Sequence, residues 1–160
     1  MRNVEVALKR PFAINKLRWR KGGGSKELVY ITARDVMDRL DDVCGVDGWQ
    51  TNFDYIGDRM ICKLSIRFYH KTEEVSKWAV SWITKSDGAD DSNIEGAKGG
   101  ISDALKRAAV QFGIGRYLYH PNAFDGNKQP ASWATPEGYD ELMEKRHGKE
   151  ESKGKGKDPF

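Results

Sequence analysis

Apolar positions along the chain change period twice. Val36, Met37, Leu40, Val43 and Cys44 recur at helical spacing between Thr32 and Gly45. That spacing predicts a helix of about three turns. Thr32 with Asp35 three residues on predicts an N-cap and a partial capping box, and Gly45 ends the pattern. Ahead of this helix, Leu28 to Ile31 predicts a short strand. The flexible run Gly22-Gly23-Gly24 separates it from a basic stretch. Three strand-like runs follow. The first is Trp49 to Ile56, closed by a Gly57-Asp58 turn. In the second, Met60, Cys62, Leu64, Ile66 and Phe68 alternate with more polar residues, so one face is expected to be buried. "KTEE" at 71–74 predicts a turn, and Val75, Trp78, Val80 and Trp82 the third strand. "TKSDGADDSN" at 84–93 predicts a polar loop. From Ile94 the period is 3.6, with Ile94, Ala97, Ile101, Ala104, Leu105, Ala108 and Phe112 on one stripe. The order helix, antiparallel three-stranded meander, long helix predicts an α+β fold with a β-β-β-α core and helices on one face of the sheet.

The length of 160 residues suits one domain with tails. Residues 1–125 are expected to form the core. Residues 126–160 are expected to hold a short helix, from Thr135-Pro136-Glu137 to about Arg146, and a disordered charged tail. The chain has no apolar run long enough to span a membrane and no secretory leader pattern, so no membrane partner is expected. Cys44 and Cys62 sit in apolar patterns and read as buried free thiols, which points to a reducing, cytoplasmic compartment.

Net charge is +3, but it is unevenly spread. Residues 1–34 carry +7, residues 35–95 carry −6, residues 96–120 carry +3 and residues 121–160 carry −1. Two separate basic segments would make one anion-binding face if the fold joins them, or else the first is a solvated arm. Gly22-Gly23-Gly24-Ser25-Lys26 lacks phosphate-loop spacing, so no nucleotide cofactor is expected. His70, His120 and His147 are scattered and no Cys lies near a His, so no zinc pattern exists. The acids Asp87, Asp90, Asp91 and Glu95 read as a solvated loop before a helix, or as a divalent-ion site in a metal nuclease.

The cations carry more. Lys106 and Arg107 lie off the apolar stripe of the last helix, Lys98 flanks that stripe, and Arg116 follows the helix. Arg18, Arg20 and Lys21 precede the glycine run. Arg34 sits in the first turn of its helix, where the dipole disfavours a cation. Such side chains make the sequence-independent phosphate contacts of nucleic-acid binding. Tyr30, Trp49, Tyr117 and Tyr119 read as core or as base-stacking groups.

Two stretches resemble one family. "EGAKGGISDALKRAAVQFGIGRYLY" and "RWRKGGGSKELVYITARDVMDRLDDVCGVDGW" are similar to segments of the Rad-fifty-two-type single-strand annealing proteins, which include short phage-encoded members. The resemblance covers most of residues 16–120. It implies an oligomeric ring or filament that holds single-stranded DNA in a basic groove, bases free to pair, without ATP or catalytic residues. It places Arg34 and Lys106 in that groove, with Arg107 the basic neighbour of Lys106 and Lys98 earlier on the same helix as Lys106. Arg18, Arg20 and Lys21 fall in a segment of variable pattern. A phage exonuclease or a host single-strand-binding protein is the implied protein partner. A double-stranded-RNA-binding module shares the helix–meander–helix order and is the rival reading.

Overall fold

The computed structural model describes residues 4–24, 26–71, 77–90 and 97–154. Side chains are described for these except at 71, 90, 97, 98 and 149–154. A short helix α1 (Val4–Lys9) opens the chain. A hairpin of β1 (Arg18–Lys21) and β2 (Glu27–Tyr30) comes next, and then helix α2 (Ala33–Cys44). The meander is β3 (Trp49–Ile56), β4 (Arg59–Lys71) and β5 (Trp78–Asp90), antiparallel in that order. Helix α3 (Ala97–Gln111), a 3-10 turn (Arg116–Tyr119) and helix α4 (Pro136–Gly154) complete it.

Period-2 alternation decides which sheet face is buried. Met60, Cys62, Leu64 and Ile66 are all under 5% exposed. Against them α3 lays Ala104, Leu105, Ala108, Ala109 and Phe112. Small alanines let the helix approach the sheet closely, while α2 packs against α3 and β3, and α1 against α2. Burial also pushes the Cys62 thiol up to about 11, so it stays neutral and inert.

Several expectations need correction. The loop expected from residue 84 is strand as far as Asp90, because β5 pairs with all of β4, from Lys71↔Trp78 to Arg59↔Asp90. An edge strand with one face in water tolerates Thr84 and Ser86 on that face, where Ser65 Oγ meets Thr84 Oγ1 at 2.8 Å, while Asp87 on the other face meets Arg107 of α3. Residues 91–93 of that expected loop, Val75 and Ile94 lie outside the described residues. Trp78, Val80 and Trp82 do form strand, but on the sheet's open face, each more than 40% exposed. Ile101, placed on the core stripe, is exposed on α3's first turns. The N-terminal basic stretch is no free arm: Leu8 and Phe12 are core residues, and Arg18–Lys21 pairs as β1.

Local signals explain the ends of the helices. Thr32 and Asp35 form a complete capping box at α2. Asp35 Oδ2 accepts from the Thr32 amide and hydroxyl, and Lys16 and Arg18 lie 3.3 and 3.4 Å from its carboxylate. Burial pushes the Asp35 carboxyl up, but the Thr32 hydrogen bonds and Lys16 outweigh it, so the net pKa is lowered. A depressed folded-state pKa means stability that is present above the ordinary aspartate range and lost as pH falls through the folded value. Asp35→Ala is therefore expected to cost about 1–2 kcal/mol at pH 7 and to remove part of the stability loss seen on going from pH 5 to pH 3. Urea unfolding at both pH values measures this; an unchanged pH slope would assign the acid sensitivity elsewhere.

At α4, Thr135 Oγ1 accepts from the Gly138 amide and Pro136 takes the first helical position. The helix runs on to Gly154 instead of ending near Arg146, since Lys and Glu are good helix formers on a solvated face. Its start is fastened to the N-terminal segment. Arg10 grips Asp140 through two parallel hydrogen bonds of 2.9 and 2.8 Å, and the Tyr139 hydroxyl donates to the Val6 carbonyl.

Candidate nucleic-acid interface

The exit from α3 builds one wall of a groove. The Ile114 amide donates to the Ala109 carbonyl and the Gly113 amide to the Val110 carbonyl. These two bonds make a Schellman stop, with Gly113 at φ 97° as its left-handed residue. Gly115, also at positive φ, brings the chain against Ile31, which leads out of β2. The hairpin is thereby set beside α3, and between them lies an open groove of about 980 Å³ that also reaches β4 and β5.

Cations from separate parts of the chain converge there: Arg20 of β1, Lys26 of the hairpin loop, Arg59 of β4, and Lys106 with Arg107 of α3. Glu27, Asp103 and Asp125 are the carboxylates of the lining, so the groove carries more positive than negative charge. Tyr30 ties two of its sides together. The Arg20 guanidinium and the Lys106 ammonium each lie 5.8 Å from the centre of its ring. Lys106 pairs with Asp103 at 2.8 Å, and Arg107 Nε donates to Asp87 at 3.2 Å. Both pairs are solvent-accessible, so each adds little to folding.

Arg34, Arg18, Lys21 and Arg116 are not among the residues that line the groove. Arg34 is exposed on the first turn of α2, beyond the residues that line the groove. Arg18 donates to the Lys16 carbonyl and faces Asp35. Lys21 is exposed at the end of β1, opposite Glu27. Arg116 closes the end of α3, donating to the carbonyls of Val110 and Gln111. Lys98 is in the first turn of α3, and its side chain lies outside the described residues. Lys26 and Arg59 were not singled out from sequence; each follows a Gly-containing turn, and only the folded hairpin and meander bring them to α3.

The aromatics divide in the same way. The Tyr117 hydroxyl accepts from the Phe12 amide, and the Trp49 indole donates to Asp41. Those two serve the fold. Tyr30 and Tyr119 line the groove. Of the 87–95 acids, Asp87 is taken by Arg107 and its own neighbour's amide, while Asp91 and Glu95 lie outside the described residues. Among the described residues no three His, Cys, Asp or Glu side chains gather as metal ligands. No described helix is long and apolar enough to cross a membrane.

The sequence model for Rad52/22 family double-strand break repair proteins matches residues 1–132. The chain belongs to that family. The match runs from α1 through the hairpin, meander, α3 and the loop after it, so the groove lies wholly inside it. Membership sets the chain apart from the double-stranded-RNA-binding modules. Two bacterial relatives carry the name single-stranded DNA-binding protein DdrA. That of Deinococcus deserti is 32% identical over 154 residues, covering 84% of this chain and 71% of the relative. That of Deinococcus radiodurans is 32% identical over 139 residues, covering 82% of this chain and 59% of the relative. The chain thus spans a little under three-fifths of the second protein's length.

Proposed function

We propose that this Rad52/22 family chain binds single-stranded DNA along the groove between the β1–β2 hairpin and α3, and anneals complementary strands without ATP. The carrying observation is the convergence of Arg20, Lys26, Arg59, Lys106 and Arg107 on one open groove. These cations neutralise phosphates and so offset the repulsion between two strands brought together to pair. No bond is made or broken, so no residue needs a catalytic role. The relatives' names, as single-stranded DNA-binding proteins, support the same ligand. Such a factor would work on DNA in the cytoplasm, beside an exonuclease that exposes single strands or a host single-strand-binding protein.

Assembly into a ring or filament belongs to this reading. The sheet order leaves β3 and β5 as its two edges. Tyr69, Val80 and Trp82 gather on the open face at the far end of β4 and β5, each more than 40% exposed. Arg67 lies over Tyr69 and Trp82, and its Nε is enclosed without an acceptor among the described residues. A patch of this kind on a lone chain is unusual. Two different edges on one body favour head-to-tail association, which closes into rings or runs on as filaments.

The native particle mass, measured with and without a single-stranded oligonucleotide, together with annealing of complementary strands in the absence of nucleotide, tests the whole. A multi-subunit particle that anneals is expected. A monomer that neither binds nor anneals single strands would overturn the proposal, as would a preference for duplex RNA.

A further inference from the structure

The 3-10 turn after α3 ends in an aromatic ring that folding does not use. Tyr119 is 73% exposed, while Ile114 and Gly115 just before it are buried. Its backbone is nevertheless fixed. The Leu118 amide donates to Gly115 and the His120 amide to Tyr117. Arg116 fastens the turn's start to the end of α3, and the Tyr117 hydroxyl fastens its middle to Phe12. A rigid turn therefore holds a bare ring out on the wall of the groove that also holds Lys106 and Arg107.

We propose that Tyr119 stacks on an unpaired base of the bound strand and gives the groove its preference for single-stranded over duplex DNA. The inference rests on the reading of the groove as a single-strand site. Phosphate contacts alone cannot make this distinction, because both forms present phosphates. Faces of a base are available only where the base is unstacked, and an aromatic side chain reads any of the four. The ring's place beside the α3 cations lets one nucleotide offer its phosphate to Lys106 or Arg107 and its base to Tyr119.

The test compares a thymidine oligonucleotide with an abasic strand of equal length and charge. Tyr119→Ala is expected to weaken binding of the thymidine strand at least fivefold and to leave the abasic strand within about twofold. Tyr119→Phe should bind both like the unaltered protein, since the ring and not the hydroxyl stacks. The salt slope should be unchanged in both variants, and the single-strand over duplex preference should shrink in Tyr119→Ala alone. Equal losses on both strands, or no loss on either, would overturn the stacking role. Failure of the groove reading shows separately, as unaltered protein that binds neither strand.

Discussion

Lys106→Ala combined with Arg107→Ala is expected to weaken single-strand binding more than tenfold at moderate salt. Each lost phosphate contact removes about 0.7 from the slope of log affinity against log salt. The pair should therefore flatten that slope by about 1.4 per subunit engaged. Folding should survive. Both side chains point away from the core stripe of α3, and the ion pairs they leave, with Asp103 and Asp87, are exposed enough to be worth about 0–1 kcal/mol each. Asp103→Asn is expected to act in the opposite sense, tightening binding by removing a competing anion. Arg34→Ala, made beyond the groove lining, reports how far the strand runs: a loss of like size places the strand's path over the start of α2. Affinity and salt slope unchanged in the double variant would remove the α3 cations from the site. Fluorescence titration of a labelled oligonucleotide at several salt concentrations, with thermal melting as the folding control, reads all of these.

Val80→Glu combined with Trp82→Glu is expected to take the particle apart. Both side chains sit on the open face of β5, about half exposed, so carboxylates there meet water in the single chain. In an assembly the same carboxylates would be buried beside a neighbour without a partner, which is among the costliest changes a protein interface can suffer. Sedimentation should show one chain in place of many, with the far-ultraviolet circular dichroism spectrum retained. Annealing should fall with it, since two strands must be held at several points to find register. A particle of unchanged mass would show that subunits meet elsewhere.

The sequence made the interior of this molecule readable and its edges much less so. Strict alternation from Met60 to Phe68 has one physical meaning, a strand with one dry face, and Thr32 with Asp35 three residues on has one local use, a capped helix. Lys106 and Arg107 were readable as surface cations because the α3 stripe leaves them nothing to pack against. What pairing imposes was not readable. "TKSDGAD" has the composition of a loop, yet becomes strand because β4 offers thirteen residues of partner. "RWRK" looks like an arm, yet becomes β1 because the glycine run folds it onto β2. The indole-rich run of β5 alternates as a buried strand does, and alternation alone cannot say which face a neighbour covers. Cations were the hardest to sort. Arg39, which donates to the Leu8 and Arg10 carbonyls and lies over Phe12, and Arg116 at the end of α3 are structural. Arg59 reaches the groove only through the sheet's register. Composition counts all three alike.

The carboxylates that hold Lys106 and Arg107 in the free protein bear on how fast a strand can leave. With a strand in the groove as proposed, an entering phosphate would displace Asp103 or Asp87, and a departing one would be replaced by the same acid. The cation would keep an anionic partner at every stage, so grip would be exchanged from one anion to another instead of being broken outright. The Asp103→Asn comparison tests this as a dissociation rate, which should fall when the replacement acid is gone. For a protein that must try many registers before two strands match, quick letting-go is as useful as holding.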